Sequence, residues 1–165
     1  MALVKKEKID MRWHPHVTVA SIIEHKGRFL LVHEKINGQH YINQPAGHLE
    51  DNETLIEAAA RETREETGWI VEPTHILGIN QYRPPTKNQM YIRISFVAKA
   101  ITAIENAQLD PAIIEVLWLS YDEFLNTTIP LRRPLVKRDI EQRRNKVKYP
   151  LEPNRAPKQH CQRPP

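Results

Sequence analysis

Arg61-Glu62-Thr63-Arg64-Glu65-Glu66-Thr67-Gly68-Trp69 (RETREETGW) sets three carboxylates and two guanidiniums in six residues, then closes with a glycine and an aromatic. Such a run reads either as a solvated helix face or as carboxylates aimed at a ligand. Its helix is well bounded. Upstream, Thr54-Leu-Ile-Glu57 spells a capping box, and Gly68 stands where a left-handed residue ends a helix. On a wheel at about 100° per residue, Ile56, Ala59, Ala60, Thr63 and Thr67 share a small, largely apolar arc suited to packing on a sheet. Glu57, Arg61 and Arg64 share an outward arc, with Glu57–Arg61 and Arg61–Glu65 at i,i+4 spacing. Glu62, Glu65 and Glu66 occupy a third arc beside the apolar one.

That third arc is costly for an isolated helix. Glu62 and Glu66 are like charges at i,i+4, and all three glutamates lie late in the helix, where the macrodipole disfavours anions. Arg61 can neutralise part of this charge, but the outward arc turns it away from Glu62. Clustered carboxylate oxygens suit a hard divalent cation, Mg²⁺ above all, which is held by a few carboxylates together with waters and substrate phosphates.

Spacing sharpens the choice. Gly47 is followed by five residues, Glu53, seven residues, then Arg61-Glu62-Thr63-Arg64-Glu65-Glu66-Thr67-Gly68-Trp69. This resembles the signature of the Nudix hydrolase family, G-x5-E-x7-R-E-U-x-E-E-x-G-U with U a bulky apolar residue. Every fixed position is matched; Thr63 stands at the first U and is smaller and more polar than the pattern asks. His16-Val-Thr-Val-Ala20, Asn43-Gln-Pro-Ala-Gly-His-Leu-Glu50, Leu131-Arg-Arg-Pro-Leu-Val136 and Tyr149-Pro-Leu-Glu152 extend the resemblance, over roughly residues 15–152, to the NudJ-like phosphatase branch.

The resemblance implies an α/β/α sandwich with a mixed β-sheet, in which Glu62, Glu65, Glu66 and the Gly47 carbonyl hold Mg²⁺ or Mn²⁺. It makes Glu62, Glu65, Glu66 and Arg61 catalytic, with Arg61 orienting carboxylates, and gives Glu53 and Gly68 structural parts. Glu115, before Val116-Leu-Trp118, is the candidate base outside the box, or else a strand-edge charge. Asn43, Gln44 and His48 flank the box loop and are candidate substrate contacts, or satisfy that loop's backbone. Gln81, Tyr82, Tyr91 and Arg93 lie on strands that contact substrate in the family. Tyr82 is placed to stack on a ring or to fill the core, and Arg93 to grip phosphate or face solvent. His14 and His16 read as structural.

The rest of the chain sets the frame. Its 165 residues, 40% hydrophobic and 27% charged, fit one domain with a proper core. Val17–Ile23 and Phe29–Val32 read as strands around a turn at His25-Lys-Gly-Arg28, and Asn37-Gly38 signals a second, type I′ hairpin. Gln44-Pro-Ala-Gly47 is expected to break regular structure. Strands are expected near 75–82, 90–100 and 113–119, a short capped helix at Ser120–Phe124, and a basic helix from Pro134 to about Val147. The fold class is therefore α+β, with residues 1–14 an extension, 15–149 the domain and 150–165 a proline-rich basic tail, extended or disordered.

Net charge is +4, with Lys and Arg gathered toward the C-terminus and acids in residues 50–66. Such separation suits a protein that holds a cation beside phosphates. There is no apolar run of membrane-spanning length, no signal-like h-region, and one cysteine, Cys161. A cytoplasmic monomer or homodimer acting on a small-molecule phosphate ester is expected, without a membrane partner. By resemblance the substrates are nucleoside di- and triphosphates and thiamine-type pyrophosphates, with orthophosphate released. ADP-ribose, dinucleoside polyphosphates or capped RNA cleaved by a pyrophosphatase are the alternative; a non-catalytic nucleotide- or RNA-binding module is the reading from another class.

Overall fold

The computed structural model describes residues 13–84 and 88–151. Calls on residues 1–12, Cys161 and the tail beyond 151 lie outside them.

Two hairpins set the frame. Strands β1 (His16–His25) and β2 (Arg28–Ile36) are joined by Lys26 and Gly27, both at positive φ, and β3 (Gln39–Asn43) follows Asn37 and Gly38, also both positive. Two consecutive positive φ values make the type I′ turn whose twist matches antiparallel strands. β1 and β2 pair only beside their turn, at Glu24–Phe29 and His25–Arg28. Beyond that they separate. β1 pairs with β4 (Ala46–His48) and runs parallel to β6 (Tyr91–Ala103); β2 pairs with β3 and β7 (Ile113–Ser120). β5 (Trp69–Tyr82) lies antiparallel to β6, and β8 (Tyr149–Pro150) adds to its outer edge. The result is a mixed sheet that splits between β1 and β2.

Helices cover both faces. Val19 of β1 packs with Ala58 and Ala59 of α1 (Leu55–Thr67), Ile76, Ile94 and Phe96. Ile22, of opposite parity, packs with Leu77, Val97, Phe124 of α2 (Tyr121–Leu125) and Val136 and Ile140 of α3 (Pro134–Arg144). Burial on both faces explains why β1 reads as a continuous apolar run rather than an alternating one. The α/β/α layering is as the sequence predicts.

Helix α1 begins with both halves of the Thr54/Glu57 capping box and ends at Gly68, φ 70°, whose N–H donates to Arg64 O. Ala59, Thr63 and Thr67 are buried, as the wheel predicts; Ala58 joins them. Thr63 Oγ1 donates to Ala59 O at 2.7 Å, so its hydroxyl is satisfied within the helix and its methyl can pack.

Four segments differ from expectation. Ala46–His48 is a strand, because β1 offers Thr18–Ala20 as a free edge there. β5 begins at Trp69 rather than near 75; register shifts between Ile70 and Val71, and on both sides of Ile76, let it carry Pro73 and bend along β6. β6 runs on to Ala103. α3 stops at Arg144, with Lys146 at φ 59° turning the chain into β8, which the sequence did not signal.

Gly68→Ala is expected to destabilise the protein by at least about 1 kcal/mol. The positive φ disfavours alanine, and a Cβ there would come within 2.7 Å of the Ala107 Cβ. An unchanged urea midpoint would contradict this account of the helix end.

Candidate active site

Where β1 and β2 diverge, a cleft of about 280 Å³ opens. Thr18 and Glu34 line it from the two separating strands, together with Asn43, Gly47, His48 and Glu66 and with Tyr82, Tyr91, Arg93, Arg132 and Arg133. Asp110 and Ala112 complete the acidic side.

Arg61 organises that side. Its Nε and Nη2 donate to the two oxygens of Glu53, at 2.9 and 2.7 Å, in a bidentate pair. Nη2 also donates to His48 O at 2.9 Å, while Nη1 donates to Glu62 at 2.9 Å and to Glu65 at 3.1 Å. The expectation that Arg61 turns away from Glu62 is therefore wrong. A long side chain need not follow the direction of its Cβ, and the loop carboxylate of Glu53 draws the guanidinium back over the helix. Glu53 is itself fixed by the Glu50 N–H at 2.8 Å. The ion pair holds the Glu53 carboxyl below the usual range and raises the arginine further.

Glu62 and Glu66 lie against the β4 backbone. A Cβ on Gly47 would overlap the whole Glu62 carboxyl group, so only glycine admits that approach. Glu66 Oε2 accepts from Ala46 N–H at 2.9 Å. Burial raises the Glu62 carboxyl, opposed by Arg61. Burial pushes Glu66 up to about 8, with the Ala46 N–H opposing and Glu62, Glu34 and Asp110 adding repulsion. The residue keeps some exposure, but its carboxyl group is deeply enclosed. Glu65 differs: its side chain is half exposed and turned to Arg61. Among the described residues, no three His, Cys, Asp or Glu side chains converge tightly enough to hold a metal ion alone. What the site offers a hard cation is two desolvated carboxylates seated on the backbone of Ala46 and Gly47, with Glu65 beside them across Arg61.

The cleft also rests on buried polar groups. Arg93, 4% exposed, donates from Nη2 to Gln44 Oε1 at 2.7 Å, and Gln44 Nε2 donates to Val136 O at 3.0 Å. Ser95 donates to the buried Asp139 at 2.6 Å. Burial lowers the Arg93 pKa and Asp139 opposes that. Asn43, His48, Tyr82 and Arg93 thus reach the cleft, whereas Gln44 supports Arg93 from beneath. Gln81 is exposed; it pairs with Ile92, on the other face from Tyr91 and Arg93. Glu115 is exposed opposite His33 and is not part of the cleft lining. His16 stacks on Tyr91, with ring centroids 5.1 Å apart.

Glu34, Asp110, Arg132 and Arg133 escaped the sequence reading. Glu34 carried a signal: it is a carboxylate whose same-face neighbours in the strand, Val32 and Ile36, are apolar. Burial raises its carboxyl, opposed first by Arg132 at 3.7 Å.

Comparison with known proteins agrees with this fold. The NUDIX domain model matches residues 12–139. Phosphatase NudJ of Escherichia coli K12 is 42% identical over 138 residues, covering 84% of this chain and 89% of that protein. A NUDIX hydrolase from Nitrosomonas europaea superposes with a TM-score of 0.81 at 36% identity, covering 84% of this chain and 95% of that one. A MutT NUDIX hydrolase from Burkholderia pseudomallei shares the fold at 20% identity, with a TM-score of 0.67 over 79% of this chain and 98% of that one.

The raised Glu66 value fixes a sign. Folding lifts this carboxyl from 4.5 to about 8, so the folded state holds the proton more tightly. In EDTA, stability is expected to be greatest below about pH 4.5 as far as this group decides it, and to fall as pH rises toward 8. Glu66→Gln should lose that part of the slope. Urea unfolding of both proteins between pH 5 and 9 checks it; parallel profiles would refute the assignment.

Proposed function

The chain belongs to the Nudix hydrolase family, and from that premise we propose that it is a divalent-metal-dependent, NudJ-like phosphatase. Its substrates in this reading are nucleoside di- and triphosphates and thiamine-type pyrophosphates, and orthophosphate is the product released. The observation that carries the reading is one cleft that brings Glu66, seated with Glu62 on the Ala46–Gly47 backbone, together with the guanidiniums of Arg93, Arg132 and Arg133.

Glu62, Glu65, Glu66 and the Gly47 carbonyl are the proposed donors. All are oxygens, which suits Mg²⁺ and admits Mn²⁺. When bound, the dication supplies charge neutralisation to the phosphates and acidifies water. The chain's own residues do the rest. Arg61 holds Glu62 and Glu65 against their mutual repulsion, and the Ala46 N–H fixes Glu66, so the carboxylates are oriented before substrate arrives. Water attacks the terminal phosphorus; a new P–O bond forms, the bridging P–O bond breaks, and its electron pair leaves on the departing oxygen. The water proton passes to a cleft carboxylate. Glu34 and Glu66 are better candidates for that acceptor than Glu115, since both line the cleft.

Glu66→Gln is expected to lower kcat by at least about 10²-fold. EDTA should abolish turnover and Mg²⁺ restore it. Product analysis from ATP, ADP and thiamine pyrophosphate should find orthophosphate released stepwise. Pyrophosphate as the main product would replace this reading with that of a pyrophosphatase, and salt-sensitive RNA binding without hydrolysis under Mg²⁺ would replace it with that of a binding module.

A further inference from the structure

Arg132 and Arg133 stand on backbone that is held at both ends. Leu131 forms a parallel bridge with the fully buried Ile42; Ile42 N–H donates to Pro130 O at 2.9 Å, and Arg132 N–H donates to Ile42 O at 2.9 Å. On the other side Pro134 opens α3, and Gln44 reaches the carbonyl of Val136. Two long cations are thus presented from a short stretch with little freedom, on the β3 side of the cleft.

Each guanidinium lies on a ring. Arg132 sits over Tyr41, 5.4 Å from its centroid, and Arg133 over Tyr82 at 4.9 Å. Tyr82 is stacked in turn on Tyr91, at 5.3 Å and 14° between planes. A guanidinium held over an aromatic face by cation–π attraction keeps N–H donors for an anion such as phosphate. Arg132 Nη1 is 3.7 Å from Glu34 Oε1, beyond hydrogen-bond distance, and that oxygen has no hydrogen-bond partner. The pair is an electrostatic tether, not a saturated contact. Beneath lies Arg93, whose Nε likewise has no partner. Three guanidiniums border one cleft, and their mutual repulsion is relieved by a bound anion of two or more charges.

We propose that Arg132 and Arg133 form a phosphate-recognition arm, which grips the stretch of a polyphosphate chain lying away from Glu62 and Glu66. It rests on the phosphatase reading and adds a specificity to it. Because Arg133 occupies a face of Tyr82, that face is not open to a nucleobase. Affinity therefore follows the charge of the phosphate chain more than the ring attached to it. The minimal ligand is inorganic tripolyphosphate.

The test is calorimetric binding of tripolyphosphate to the full chain in EDTA, beside steady-state kinetics with a nucleoside triphosphate and Mg²⁺. Arg132→Ala and Arg133→Ala should each weaken tripolyphosphate binding by at least about 10-fold. KM should rise by a similar factor, while kcat stays within about 3-fold. Arg132→Lys and Arg133→Lys, which keep the charge and lose the fork, should fall between wild type and alanine. Thermal melting of the lysine variants confirms that the fold is kept. Unchanged tripolyphosphate affinity in all four variants overturns the arm, and so does a loss confined to kcat. Wild-type protein that binds tripolyphosphate in an arginine-dependent way yet hydrolyses nothing supports the arm and overturns the phosphatase reading. Hydrolysis with unaltered KM in every variant overturns the arm alone.

Discussion

The acidic end of this molecule depends on one guanidinium. Arg61 is the counter-charge of Glu53, Glu62 and Glu65, and it also reaches the carbonyl of His48. It therefore ties the last turns of α1 to the loop before that helix. Without it, glutamates would crowd a helix end that already disfavours anions. Charge-assisted, partly bidentate bonds of this kind resist displacement, because removing the cation leaves several carboxylates desolvated and unpaired. The glycine at 47 belongs to the same device. It brings the β4 backbone so close to Glu62 that no side chain fits between them.

The cleft is a consequence of strand pairing. β1 and β2 share only the pairs next to their turn. Their remaining edges are claimed by β4 and β6 on one side and by β3 and β7 on the other. A sheet split in this way sets largely buried polar residues, Thr18, Glu34, Asn43 and Arg93, along the lining of a groove. Thr18 and Glu34 come from β1 and β2 themselves, and the loop after β6 adds Asp110 and Ala112. α1 supplies the carboxylates from one layer. The segment before α3 supplies the arginines beside the other. The proposed substrate site lies in this gap, lined by residues that both helical layers help to place.

Buried charge beneath that gap follows the same logic. Arg93 and Asp139 are both enclosed, and their desolvation is opposed by mutual attraction and by bonds to Gln44 and Ser95. A core built for stability alone would not need them. Their value lies in orientation, since they link α3 to the floor of the cleft.

Much of this was legible from spacing. Thr54 with Glu57, Gly68, and the Asn37-Gly38 turn are local devices, each set by neighbours within a few residues, so their positions follow from the order of amino acids alone. The Gly47–Trp69 pattern carried the family and, through that resemblance, the layering. Other features needed the folded chain. Ala46–His48 became a strand because β1 had an edge to offer it. Arg61 reversed its direction because Glu53, eight residues earlier, was brought beside it. Gln44 turned from a candidate substrate contact into a support for Arg93, 49 positions away. Arg132 and Arg133 reach the cleft because Leu131 docks on Ile42, and Glu34 because β2 parts from β1. Local hydrogen bonds and helical periodicity are written in the sequence, because they involve residues a fixed few steps apart. The sharing of one guanidinium among several carboxylates, or of one cleft between two layers, is decided by contacts across the whole chain, and only tertiary packing brings those groups together.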